Sequence, residues 1–84
     1  MKPLKITPRA IRALQEKHGI SNLLQPTAED GVKMATVDFL VDFTYEGSRS
    51  WATPPTAEAI EEFEIGEMVA AVKGALSGEA PGKD

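Results

Sequence analysis

Eighty-four residues with a net charge of −4 and no cysteine make one small domain, without a disulfide framework or thiolate chemistry. A chain of this length buries roughly 60–65% of its unfolded surface, too little to enclose a large active site and keep a core as well. No apolar run approaches the ~20 residues needed to span a bilayer. MKPLKITPR is basic but lacks the apolar region of a signal peptide, so a cytoplasmic protein with no membrane contact is expected. Charge is unevenly spread. Lys2, Lys5, Arg9, Arg12 and Lys17 face Glu16 alone in residues 1–18, whereas residues 19–84 carry four basic and twelve acidic side chains. Such asymmetry can mark a nucleic-acid arm, but the acidic body would repel phosphate.

Residues 1–7 read as an extended lead-in. Thr7-Pro8 then gives an N-cap followed by proline at the first helical position, where its missing N–H costs nothing. The first helix runs over 8–18, and Gly19 is its left-handed stop. At 100° per residue, Ala10, Ile11, Leu14 and His18 share one stripe, and Arg9, Arg12 and Glu16 lie opposite. Residues 20–31 form a connection in which Ile20, Leu23 and Leu24 are expected to tuck under the core. Pro26 ends any helix before it. Thr27 with Asp30 three residues on makes a capping pattern, so the next helix starts near Ala28.

The stretch Val32–Gly47 holds three of the five aromatic residues: Phe39, Phe43 and Tyr45. Read as a strand, Val37, Phe39, Val41, Phe43 and Tyr45 point one way, with acids and threonines opposite. Read as a helix, Asp38, Asp42 and Glu46 form one wet seam on an otherwise buried cylinder. Repulsion between acids at i,i+4 favours the strand. Length favours the helix, because a strand over 34–46 is more than twice the usual span and has only 49–53 to pair with. An α+β fold with a hairpin at 34–53 is therefore the alternative to an all-α one.

Gly47–Thr53 reads as a loop carrying Trp51, stiffened by Pro54-Pro55. Thr56 is an N-cap, with Glu58, Glu61 and Glu62 in the turns where the helix dipole favours them. Ile60 and Phe63 form one apolar stripe; Ile65, Met68, Val69, Val72 and Leu76 form another, about 160° away on a straight helix. A break near 64–66 is therefore expected, giving helices at 57–63 and 66–77. Residues 79–84 read as a disordered tail beyond a single domain over 1–78.

Motifs for chemistry are missing. Asp38 and Asp42 fit a solvated acidic seam better than a metal pair, because the chain has one histidine and no glycine-rich calcium loop. His18 fits closure of the C-terminal turn of the first helix better than general-base work. The glycines form no phosphate-binding pattern. No cofactor, no metal and no enzymatic activity are expected. RAIRALQEKHGIS resembles the opening of a helix-turn-helix, but Pro26 interrupts the second slot and the recognition slot is acidic.

Taken end to end, the chain resembles the small tail assembly chaperones of long-tailed bacteriophages and prophages. RAIRALQEKHGI is similar to that family's opening helix and glycine. The segment ending in FTYEGS is similar to its buried middle helix, and PPTAEAIEEFEIGEMVAAVKGALSG to its closing helix pair. The resemblance covers about residues 4–78 and rests on no invariant motif. It implies an all-α bundle of about four helices, 8–18, 28–46, 57–63 and 66–77. It also implies a non-enzymatic role in virion morphogenesis: binding the tape measure protein, helping recruit tail tube subunits, and absence from the mature virion. Self-association and a longer frameshifted form are compatible with it. Exposed apolar surface is what such a task requires, and Phe39, Phe43 and Trp51 are the expected border of it, with Asp38 and Asp42 keeping it soluble. The alternatives are a small helical DNA-binding regulator using Arg9, Arg12 and Lys17, or another phage structural adaptor.

Overall fold

The computed structural model describes residues 2–77, and among them there are five helices and no strand. They are α1 (Pro8–His18), α2 (Ala28–Met34), α3 (Val37–Gly47), α4 (Ala57–Ile60) and α5 (Ile65–Ser77). The fold is all-α, and the hairpin alternative over 34–53 is overturned, because residues 37–47 close helical hydrogen bonds instead. The central helix α3 packs against each of the other four. The expected tail at 79–84 lies outside the described residues.

Local capping chemistry sets most of the boundaries. Thr7 accepts a hydrogen bond from Ala10 N at 3.2 Å, with Pro8 opening α1 behind it. Gly19 stops α1 at φ 66°, which a residue with a Cβ adopts only under strain. Gln15 secures the exit twice. Its carbonyl accepts from Ile20 N at 3.0 Å, and its side-chain Oε1 accepts from Leu23 N at 2.8 Å. Thr27 and Asp30 form a reciprocal capping box at the start of α2. Thr56 caps α4 through Ala59 N at 3.1 Å.

The expected single helix over 28–46 is two helices. Thr36 sits between them with extended backbone, φ −113° and ψ 155°. Its hydroxyl serves both ends: it donates to the Lys33 carbonyl at 3.1 Å and accepts from Phe39 N at 3.2 Å. Burial explains why the break is needed. Asp30 on α2 and Phe39 on α3 are both buried. On one straight helix, side chains nine residues apart would point about 180° apart. The break rotates both inward. The expected helix over 57–63 is likewise shorter, ending at Ile60 with turns over 61–63. The break before α5 stands as expected.

The core comprises Leu4, Leu14, Ile20, Leu23, Phe39, Phe43 and Val72. Phe39 and Phe43 are both fully buried, with ring centroids 5.7 Å apart. Each such burial is worth about 1.5–3 kcal/mol. Leu24, expected under the core, is 61% exposed instead. Ile20 and Leu23, expected there with it, are buried, and Leu23 N donates to Gln15 Oε1. Val37 and Tyr45 are exposed, so α3 is not the nearly all-round buried cylinder expected of it.

Candidate protein-binding groove

A groove of about 590 Å³ lies between α1 and α3, with the start of α4 also lining it. Ala13 and Leu14 form its α1 wall and Val41 and Tyr45 its α3 wall, and Pro55 and Ala57 complete the lining. These positions recur at the helical repeat: Val41 and Tyr45 are four apart, so they stand on one face of α3. That face is turned away from Phe39 and Phe43, which are buried.

One carboxylate governs the charged side of the groove. Asp42 Oδ2 lies 2.9 Å from His18 Nε2 and 3.0 Å from Lys17 Nζ. His18 is largely buried, and its ring meets the edge of Phe39 at 5.4 Å. His18 therefore does not simply close the last turn of α1, as its position suggests; it ties α1 to α3. Glu46, the other acid lining the groove, lies 3.8 Å from Arg49. The rim charges are thus balanced within the chain, and the walls between them are aliphatic and aromatic.

The residues expected to border a binding surface are divided by the structure. Phe39 and Phe43 are fully buried in the core cluster with Leu4, Leu14, Ile20, Leu23 and Val72, and offer no surface. Trp51 is half-buried, packed against the core, and its indole N–H donates to the Pro3 carbonyl at 2.8 Å. Asp38 is exposed near the start of α3, and Asp42 is engaged with Lys17 and His18. The structure does not bring these five together. The groove residues Ala13, Val41 and Tyr45 escaped sequence reasoning: α3 has apolar residues on nearly every face, and periodicity cannot say which face is covered.

Among the described residues no group of histidine, cysteine and acids is arranged to hold a metal ion, and no helix is long and apolar enough to cross a membrane. His18 and Asp42 resemble two members of a catalytic triad, but among the described residues the hydrogen-bond partner of the His18 side chain is Asp42 and not a serine or threonine hydroxyl. Of the cations assigned to a DNA-facing surface, Arg9 and Arg12 are exposed and Lys17 is engaged by Asp42. Among the described residues Asp30 is the one buried acid. Ser21 Oγ donates to it at 2.7 Å, and the backbone N–H groups of Ser21 and Thr27 add 3.3 and 3.2 Å contacts. The Ser21 hydroxyl above all, then the backbone donors, hold its carboxyl below the usual carboxylate range, against the opposing effect of burial. This is structural chemistry, pinning α2 to the end of α1.

No family model, curated protein or solved structure matches this chain.

Proposed function

We propose that this protein is a non-enzymatic tail assembly chaperone, which binds an elongated, apolar, helical tape measure protein and helps recruit tail tube subunits in the bacterial cytoplasm without entering the mature virion. The observation that carries the reading is the apolar groove between α1 and α3, whose rim charges are already paired within the chain. Such a groove has no unmet charge to satisfy and fits a neutral apolar helix face, the second of the common peptide-recognition modes. The resemblance of residues 4–78 to that family, and the all-α fold, support the same reading. A single groove of this size gives weak binding, so retention of a long partner depends on many copies along it.

The test is co-expression with the tape measure protein. Ala13 and Tyr45 both line the groove and are both exposed, so Ala13→Asp with Tyr45→Asp is expected to leave the fold intact. The double variant should lose the ability to keep its partner soluble. If it folds and still protects the partner, the groove is not the site.

A further inference from the structure

We infer that the groove takes its partner helix in one direction only, with a cationic end of that helix over the start of α3 and an acidic end over the start of α1. This rests on the groove being the docking site, and adds the charge pattern and the polarity of what docks. The groove has two distinct ends because α1 and α3 run against each other. The last turn of α1 meets α3 through Lys17, His18 and Asp42. Lys5, just before α1, donates its N–H to the carbonyl of Gly47 at the end of α3, at 3.0 Å. An apolar stripe joins the two ends. Val37, Val41 and Tyr45 recur four residues apart on one face of α3, a run of about 12 Å. Val37 is 55% exposed and does not line the groove, so the stripe continues beyond it at the start of α3.

Each end closes one ion pair within the chain: Lys17 with Asp42, and Arg49 with Glu46. The charges left over have opposite signs. At the first end stand Asp38, one turn before Asp42, and Glu16, beside Lys17. At the second stands Arg9, one turn before Ala13. All three are exposed, and none has an ion-pair partner among the described residues. The dipole of α3 favours a carboxylate at Asp38 but leaves it in water, able to take a cation. The matching partner is a helix with an apolar middle, lysine or arginine one turn past one end, and aspartate or glutamate one turn past the other. A second copy of α3 does not match: it brings Asp38, Asp42 and Glu46 and no basic side chain. Exposed contacts of this kind each change affinity by roughly two- to fivefold and weaken with salt. Turning the helix round replaces attraction by repulsion at both ends, so the charges select direction more strongly than they add affinity.

The probe is a synthetic alanine-rich helix with leucines one turn apart, glutamates in its first turn and lysines in its last. It carries a paramagnetic tag at one end or the other and is added to the isotope-labelled full-length chain at low salt. A tag at the lysine end should broaden the amide signals of Val37 and Asp38. A tag at the glutamate end should broaden those of Arg9 and Arg49. The variant Asp38→Asn with Glu16→Gln and Arg9→Gln, all at exposed positions, should still bind but lose direction, so that either tag broadens both regions. Broadening of both regions in the unmodified chain overturns one-way docking while leaving the groove occupied. A neutralised variant that still docks one way overturns it as well, because these charges would not set the direction. If the probe shifts neither Ala13 nor Tyr45, the docking site itself falls, and this inference with it.

Discussion

His18 at the end of α1 and Asp42 in the middle of α3 meet at 2.9 Å across 24 residues of sequence. The contact does two things at once. It satisfies a half-buried carboxylate, and it holds the imidazole edge-on against Phe39. His18→Ala should lose both and destabilise the chain by about 2 kcal/mol. Asp42→Ala should cost about 1 kcal/mol, since Lys17 is mostly exposed and its share is screened. Urea midpoints of the two single variants and the double variant check this. Full additivity would mean that the two side chains do not act as a pair.

The lowered Asp30 carboxyl predicts an acid limb with a defined sign. A depressed folded-state pKa gives stability that is present above the unfolded value near ~4 and is lost as pH falls through the folded value. Asp30→Asn removes that linkage. The variant should melt below the unmodified chain at pH ~7, and the gap should be narrower at pH ~3, below the unfolded value. Thermal melts at the two pH values read the difference, and parallel curves would remove Asp30 from the account.

Thr36 predicts a cap effect at two helices. Its hydroxyl accepts from Phe39 N and donates to the Lys33 carbonyl, so Thr36→Ala should cost about 1 kcal/mol or somewhat more. Thr36→Ser keeps both bonds and should recover most of it. Chemical denaturation of the pair separates the hydroxyl from the methyl group.

Those caps also mark what the sequence makes legible. Thr7-Pro8, Gly19, Thr27 with Asp30, and Thr56 act on backbone groups three or four residues away, so they can be read locally, and all four sit where expected. Thr36 is the same chemistry, but it is hidden inside an apolar run long enough to pass for one helix. The break there follows from burying Asp30 and Phe39 together, which is a tertiary demand. The groove is illegible for a related reason. Val41, Tyr45, Phe39 and Phe43 all carry bulky apolar surface, and only tertiary packing decides which pair is covered. The N-terminal segment is the extreme case: Trp51 reaches Pro3 across 48 residues, with no periodicity to announce it.

Thr44 is fully buried, and its hydroxyl oxygen has no hydrogen-bond partner among the described residues. Val is nearly the same shape and carries no polar atom. Thr44→Val should therefore stabilise the protein by about 1 kcal/mol, which for a chain of this size raises Tm by about 4–8 °C. A drop in Tm would mean that the hydroxyl is satisfied in solution.

The helix α2 has one buried residue, and it is Asp30. The other four helices each bury at least one apolar residue. Beside the half-buried Met34, which packs against the core, what fastens α2 to the body is polar: Ser21 to Asp30, and Lys33 Nζ to the Gly19 carbonyl at 2.7 Å. Polar fastenings release little water when they form, so they add little to cooperativity with the core. In amide exchange α2 should accordingly open as its own unit, ahead of α1, α3 and α5, through fluctuations that leave Phe39 and Phe43 covered. The protein then has a core that melts as one body and a short helical latch beside it that turns over much faster.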